Sequence, residues 1–412
     1  MHSILIRAFY SAISFGITVL LARALPVEDM GRYSLVFVLI SLTVLIGQSG
    51  LTTQLVREVS YSLKSGMDSR VRELWHGFST RSFNITLVSG SGSAIYFIVA
   101  AEDSAFVSLS FPVLLIVPIL LVQSNMRAAL LRALDKNILG QIPDMVIRPI
   151  AFLFFVMIAW LCEYLDALVA LYLYAFSSLF AFCIGVHLLR AQTQWGARSR
   201  SFQNVVKPHA MNMFWAISMM QALNLNLDLL MVGGLLGDAN VAILRIGVQS
   251  TVFLSIIIQG MNLAVQQPIA SSLANNDTNG LKRTLISTNR LVLLATLPVF
   301  LALFSFSEQF VVHVFGGEYV EAALVLKVLL VGHLLNSLFG PVVLLNLMAR
   351  NESLVAKAFA FTLVSNFLMQ FLFVEQYGVV GAAIATSCSI LIWNSALALA
   401  AMRNGQMSFR LW

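Results

Sequence analysis

The stretch ILIRAFYSAISFGITVLLARAL, residues 4–25, decides the fold, because its length and composition suit a helix inside lipid. A helix needs about 20 mostly apolar residues to cross the hydrocarbon core of a bilayer. The run ends at Pro26, Glu28 and Asp29 and not at the small residues of a signal-peptide cleavage site. We therefore expect it to remain in the protein as a first membrane span.

Similar apolar runs recur along the whole chain. Of its 412 residues, 59% are hydrophobic and only 11% are charged, whereas soluble domains carry about 25% charged residues. A soluble core of this size cannot bury so much apolar side chain. The runs predict an all-α integral membrane protein with twelve transmembrane helices, near residues 4–25, 33–56, 77–100, 108–131, 142–162, 167–189, 209–235, 241–268, 286–306, 320–347, 354–374 and 379–401.

Composition argues against several other functions. The cysteines Cys162, Cys183 and Cys388 lack the spacing of a zinc site or a disulfide framework. The net charge of +6 is spread over many short loops, so we expect no nucleic-acid partner. No catalytic triad, carboxylate pair or phosphate-binding glycine loop is recognisable. The sequence therefore predicts a protein that is not an enzyme and that has no catalytic residue and no metal site.

The charges of the loops predict the orientation of the chain. Lys and Arg concentrate in alternate connections, such as residues 57–72 and 190–207, while the connections between them are short and acidic. Basic loops stay in the cytoplasm during membrane insertion. With an even number of spans, both termini are expected to be cytoplasmic.

The longest polar connection divides six spans from six. We predict an N-terminal lobe at residues 1–192, a cytoplasmic linker at 193–207 and a C-terminal lobe at 208–412. A shared offset relates short segments of the two halves, such as Glu163–Ala167 and Gln376–Val380. This pattern suggests a parallel internal repeat, and transporters built in this way bind substrate where the repeats meet.

Polar side chains at helical spacing form stripes in two spans of the second half. Gln221, Asn224 and Asp228 share a face of the seventh span, and Gln259 and Asn262 lie in the eighth. A charged carboxylate at mid-membrane costs at least about 2.5 kcal/mol, and ionisable groups inside a membrane usually have a function. Asp228 is therefore a candidate residue for binding the coupling ion. The other reading is that such amides are contacts between helices, each worth about 0.6 kcal/mol.

Five arginines lie near the predicted cytoplasmic ends of their helices. They are Arg7, Arg81, Arg127, Arg148 and Arg290. In one interpretation they extend to the lipid headgroups and only fix the orientation of the chain. In the other interpretation they converge on a cytoplasmic entrance, where each guanidinium group can donate hydrogen bonds to two phosphate oxygens.

Several short motifs follow one another along the chain: the run Arg7–Arg23 followed by Ala24–Ser34, Gly50–Leu51 with Leu55–Arg57, Asp228 with Gly233 and Gly234, Phe315–Tyr319, and Gly378–Thr386. In this order they resemble the motifs of the polysaccharide flippase branch of the multidrug/oligosaccharidyl-lipid/polysaccharide (MOP) exporter superfamily. The likeness covers nearly the whole chain. One departure is that Ala242 and Leu244 stand where glycine and tyrosine are usual.

This resemblance implies a MATE-like fold of two six-helix lobes and transport by alternating access. The implied substrate is an undecaprenyl-diphosphate-linked oligosaccharide, a unit of O-antigen, capsule or exopolysaccharide, moved across a bacterial inner membrane. It implies no cofactor beyond a coupling H⁺ or Na⁺. The implied partners are the glycan lipid, membrane lipids, and the polymerase and other membrane proteins of glycan assembly.

Two alternatives stay open at this stage. A cation-coupled multidrug exporter of the same superfamily would need acidic, cation-attracting cavities, and Asp228 is the one acidic side chain deep in a predicted span. A non-transporting membrane component of a glycan pathway is the second alternative. A polymerase of such a pathway would carry a large periplasmic loop, and none of the predicted outward loops is long.

Overall fold

The computed structural model describes residues 2–48, 50–64, 68–100, 104–192, 211–275, 277–349 and 351–403. Within these ranges the chain forms helices joined by short turns, with no strand. The chain divides into two compact units, Met1–Met219 (the N-terminal unit) and Met220–Trp412 (the C-terminal unit). The predicted linker at 193–207 lies outside the described residues, so its boundaries remain a prediction.

The N-terminal unit contains eight α-helices and one π-helical turn in its described residues. The turn, Pro143–Ile147, continues α6 into α7, so these elements form one bent rod. The helices are α1 (His2–Ala24), α2 (Val27–Gln48), α3 (Leu51–Lys64), α4 (Asp68–Ala100), α5 (Ser104–Ala133), α6 (Asn137–Ile142), α7 (Arg148–Leu161) and α8 (Ala167–Gln192).

Helix α5 is the centre of this unit. It packs against α2, α3, α4, α6 and α8. Its buried Met126 and Leu130 pack in one cluster with Leu55 of α3 and with Leu74 and Phe78 of α4. Because lipid solvates apolar side chains as well as a protein interior does, such packing is held by close contact and not by exclusion of water.

The C-terminal unit is also helical throughout its described residues. A short 3₁₀ turn, Gly317–Tyr319, precedes α14, and α14 packs against α10, α12 and α16. The helices are α9 (Met211–Leu236), α10 (Asp238–Ser250), α11 (Val252–Ala274), α12 (Thr278–Ser305), α13 (Ser307–Val314), α14 (Ala322–Phe339), α15 (Val342–Met348) and α16 (Glu352–Arg403).

Ten helices of the described residues are long and apolar enough to cross a membrane. Helix α4 is not among them, although its 33 residues exceed the length of a span. Helix α16 counts once, yet its 52 residues would reach about 78 Å if straight, more than twice the roughly 30 Å of hydrocarbon. Multi-pass membrane architecture is thus confirmed, and the count of twelve remains a prediction.

Two glycines bend α16 into two span-length parts. Gly378 has φ 58° and ψ −139°, a backbone conformation that side chains with a Cβ rarely adopt. Three residues later, a Cβ on Gly381 would lie 1.9 Å from the carbonyl oxygen of Phe373. Only glycine at both positions lets the chain turn here and pack this closely.

Replacing Gly378 with alanine should therefore destabilise the C-terminal unit. We expect Gly378→Ala to cost about 1–3 kcal/mol, because alanine must hold a strained backbone conformation. Thermal unfolding of the purified protein in detergent measures this loss. Gly260→Ala is the matched control, since a Cβ at Gly260 in α11 meets open space. Equal melting temperatures for both variants would contradict this account of the bend.

Candidate functional site

The carboxylate of Asp228 lies inside the C-terminal unit, where only 2% of the residue is exposed. The Thr386 hydroxyl of α16 donates to Asp228 Oδ2 over 3.3 Å. The backbone N–H of Leu229 lies 2.8 Å from the other carboxylate oxygen. Neither contact supplies a positive charge, and the cationic residue that acts on this carboxylate is Arg245 of α10.

Amide side chains extend this contact into a network. Gln370 Nε2 donates to the Thr386 hydroxyl and to the Ala382 carbonyl, each over 3.3 Å. Asn366 Nδ2 donates to the backbone carbonyl of Asn224 over 3.4 Å. The network thus joins α9 to both halves of α16.

Helical geometry explains why these residues meet. Positions four apart lie on one face of a helix, so each helical segment presents two polar groups to its neighbours. The pairs are Asn224 and Asp228 on α9, Asn366 and Gln370 before the bend in α16, and Ala382 and Thr386 after it.

The network contains more acceptors than donors. Asn224 Oδ1, Asn366 Oδ1 and Gln370 Oε1 are buried and accept no hydrogen bond from any described residue. An unsatisfied buried polar atom costs about 1–3 kcal/mol. These three oxygens and the Asp228 carboxylate belong to residues of one hydrogen-bonded network, and oxygen atoms are the ligands that a hard cation such as Na⁺ binds.

Of these residues, Asn224 and Asp228 are predicted from the sequence, whereas Asn366, Gln370 and Thr386 are not. The i, i+4 spacing of Asn366 and Gln370 in the eleventh predicted span was the available signal. Clusters of three or more His, Cys, Asp or Glu that could hold a metal are absent from the described residues. A cation site here would therefore depend on amide oxygens.

A separate cavity of about 340 Å³ lies within the C-terminal unit. It brings together two residues that the sequence singled out, Gln221 and Asn262. Gln259, one turn before Asn262, is exposed and does not line it. The other polar side chains that line the cavity are Thr288, Asn336, Ser337 and Asn394.

The break between α14 and α15 shapes one wall of this cavity. Gly340 has φ 68°, and a Cβ there would lie 2.0 Å from Asn289 Oδ1. Asn394 Nδ2 donates to Asn336 Oδ1 over 2.7 Å, which holds the end of α14 against α16. The sequence analysis missed this wall because its parts come from distant segments.

The structure places the five predicted arginines in different surroundings. Arg7, Arg81 and Arg290 are exposed, Arg148 is half-buried, and Arg127 is buried. Arg290 lies with Arg283 along a surface pocket of α12. The structure thus gives an internal position only to Arg127 and Arg148, and the roles of the exposed three remain predictions.

Arg127 is neutralised inside the N-terminal unit. Its Nη2 donates to Asp144 Oδ2 over 2.6 Å, and 1% of the arginine is exposed. A Cβ on Gly185 would lie 1.2 Å from Arg127 Nη1, so only glycine leaves room for this guanidinium. Asp144 sits in the π-helical turn, a distortion often found at functional sites. The sequence analysis missed this second buried carboxylate.

Arg148 follows the same turn and has different neighbours. Its guanidinium carbon lies 5.9 Å from the centre of the Tyr174 ring. The Tyr10 hydroxyl is its hydrogen-bonding neighbour. Among the described residues Arg148 forms no ion pair, since the one carboxylate nearby, Asp144, is paired with Arg127. Two arginines share one acid, which leaves one positive charge.

The Arg127–Asp144 pair gives a direct test of stability. Asp144→Asn should destabilise the protein by about 3–5 kcal/mol, because it leaves Arg127 charged and buried without a partner. The double variant Arg127→Met with Asp144→Leu should recover most of that loss, since it removes both charges together. Thermal unfolding of both variants in detergent measures the difference. A double variant as unstable as Asp144→Asn would contradict it.

Comparisons with known proteins agree with the predicted resemblance. Residues 20–324 match the polysaccharide biosynthesis protein family. Among curated proteins, none matches the sequence significantly. Twenty-six solved chains do match in structure at a comparable threshold of significance.

Three of these structures illustrate the fold. The lipid II flippase MurJ, in an inward closed conformation, has a TM-score of 0.69 and 14% identity over 97% of this chain and 87% of that one. An inward-facing multidrug resistance MATE family transporter of the MOP superfamily has a TM-score of 0.73 and 14% identity over 96% of this chain and 94% of that one. A MOP superfamily transporter from Pyrococcus furiosus has a TM-score of 0.66 and 16% identity over 98% of this chain and 94% of that one.

At these identities the structures show the fold, and the family match covers most of the sequence. The relatives in fold are transporters and flippases, not enzymes. The chain belongs to the polysaccharide biosynthesis protein family and has the fold of the MOP transporters.

Proposed function

We propose that this protein flips an undecaprenyl-diphosphate-linked oligosaccharide across the bacterial inner membrane by alternating access. The observation that carries the proposal is the positive charge left on Arg148 after Asp144 pairs with Arg127. A half-buried guanidinium without a carboxylate partner favours an anion. The diphosphate of a lipid-linked glycan is an anion of suitable chemistry.

The geometry around Arg148 supports phosphate binding. Arginine presents a planar fork of donors that matches two phosphate oxygens. The Tyr174 ring and the Tyr10 hydroxyl are neighbours of this guanidinium, so its surroundings are polar and aromatic and hold no ion-pair partner among the described residues.

A drug exporter of the same superfamily is the alternative. Cationic drugs need acidic groups in the cavity that holds them, and none of the residues lining the cavity of the C-terminal unit is acidic. The match to a polysaccharide biosynthesis family also favours a glycan. A non-transporting role would leave the polar cavity and the network around Asp228 without a purpose.

The network around Asp228 supports cation coupling as part of this proposal. Asp228, Asn366 and Gln370 would hold a Na⁺ ion through their oxygens, and the bound ion would neutralise the carboxylate. The unpartnered oxygens favour Na⁺ over H⁺, because one added proton on Asp228 satisfies at most one acceptor. The glycan lipid, membrane lipids and the glycan polymerase are the proposed partners, and both termini are proposed to be cytoplasmic.

Arg148→Gln tests the diphosphate contact. Losing one charged, bidentate contact of about 2 kcal/mol should reduce the flipping rate roughly 30-fold. In a strain whose own gene is deleted, the variant should leave surface glycan low and lipid-linked glycan trapped in the cytoplasmic leaflet.

The matched control for this test is Arg132→Gln, an exposed arginine at the end of α5. It should restore surface glycan to the wild-type level at equal protein abundance. Arg148→Lys keeps the charge but loses the fork, so its activity should be intermediate. Full activity of Arg148→Gln would refute the role assigned to this arginine.

Asp228→Asn tests coupling. In proteoliposomes containing the purified protein and its glycan lipid, an imposed Na⁺ gradient should accelerate flipping by the wild type and not by Asp228→Asn. Glu308→Gln, an exposed acid on α13, serves as the control and should keep the Na⁺ response. Acceleration by a pH gradient alone would overturn the choice of Na⁺ over H⁺.

A further inference from the structure

The cavity of the C-terminal unit is not the Asp228 network, and its lining has hydrogen-bonding capacity that the protein itself does not use. Gln221 and Asn262 make no side-chain hydrogen bond within the described part of the chain. Asn336 accepts from Asn394 through Oδ1, which leaves its own Nδ2 free to donate. Three amides can therefore bind a polar molecule without breaking an existing contact.

Hydroxyl groups add acceptors to the same wall. Thr288 donates to the Thr284 carbonyl over 2.6 Å, and Ser337 donates to the Leu334 carbonyl over 2.6 Å. Because each hydroxyl donates its hydrogen to the backbone, its oxygen remains available as an acceptor. The cavity thus offers both donors and acceptors at short range.

One side of the cavity is aromatic. The Trp393 ring is half-buried, and its centre lies 5.6 Å from that of the buried Phe359 ring. Both rings line the cavity, so this side of it is apolar. Aromatic rings bind flat apolar faces.

The lining carries no charge. None of the described residues that line the cavity is Asp, Glu, Lys, Arg or His. A charged ligand would lose its hydration here without gaining an ionic partner. The ligand that fits is neutral, with many hydroxyl or amide groups around a ring that has an apolar face.

We propose that this cavity binds one neutral sugar residue of the transported glycan. A pyranose ring has C–H groups that can lie against Trp393 and hydroxyl groups that both donate and accept. The volume of about 340 Å³ is near the lower end of ligand pockets, roughly 300–1,000 Å³, and suits one sugar residue better than a long oligosaccharide. This inference rests on the proposed function and adds the chemical class of sugar.

Binding of defined lipids to the purified full chain tests the inference. The probes are undecaprenyl diphosphate and the same lipid carrying one N-acetylglucosamine or one glucuronic acid, each titrated by native mass spectrometry. We expect N-acetylglucosamine to raise affinity about tenfold over undecaprenyl diphosphate, the effect of one or two hydrogen bonds. Glucuronic acid should add little, because the cavity holds no cation.

Variants of the lining identify the source of that gain. Asn262→Ala and Trp393→Leu should abolish the tenfold gain and leave binding of undecaprenyl diphosphate unchanged. Gln221→Ala, at an exposed position, keeps the test valid if the tryptophan variant does not fold. The matched controls are Gln267→Ala on the same helix as Asn262 and Trp160→Leu in α7, both exposed and outside the cavity.

The outcomes separate this inference from the proposed function. No gain from the neutral sugar, a gain that survives in the cavity variants, or equal binding of glucuronic acid would each overturn the sugar site. Failure of undecaprenyl diphosphate to bind, with no effect of Arg148→Gln, would instead overturn the flippase proposal.

Discussion

A polar group inside a bilayer must find its partner within the protein, and this requirement governs the interior of both units. In hydrocarbon, an unpaired charge or amide has no water to replace a missing contact. The charge of Arg127 is compensated by Asp144, and Gly185 leaves space for the guanidinium, although Arg127 Nε and Nη1 are buried and donate to no described residue. Asn224, Asn366 and Gln370 meet the requirement only in part, since each has a buried oxygen without a donor.

For the same reason, exposed apolar side chains do not mark the position of a binding site in this protein. Exposed leucine and phenylalanine side chains cover the outer faces of the helices, as expected where lipid is the solvent. Specific helix contacts are instead made by small and polar residues, such as Gly381 against the Phe373 carbonyl and Asn394 against Asn336. Function is therefore to be found among a small number of amides, hydroxyls and charges.

Helices are the part of this fold that local sequence determines. The run at residues 4–25 became α1, and the bend at Gly378 separates the two predicted spans at 354–374 and 379–401. Backbone hydrogen bonds inside lipid must be made within the segment itself, so an apolar run of sufficient length forms a helix.

The site was less predictable, for a physical reason. Asp228 was found because its burial is costly by itself, whichever residue it meets. Its partners were missed because contacts such as Thr386 with Asp228 join residues 158 positions apart, and periodicity reports only which face of a helix a residue occupies. The pairing of Arg127 was missed because Asp144 lies near the start of a predicted span, where a carboxylate has water within reach. A π-helical turn draws that carboxylate inward. Asp144 thus compensates the charge of Arg127, whereas Arg148 forms no ion pair with a described residue.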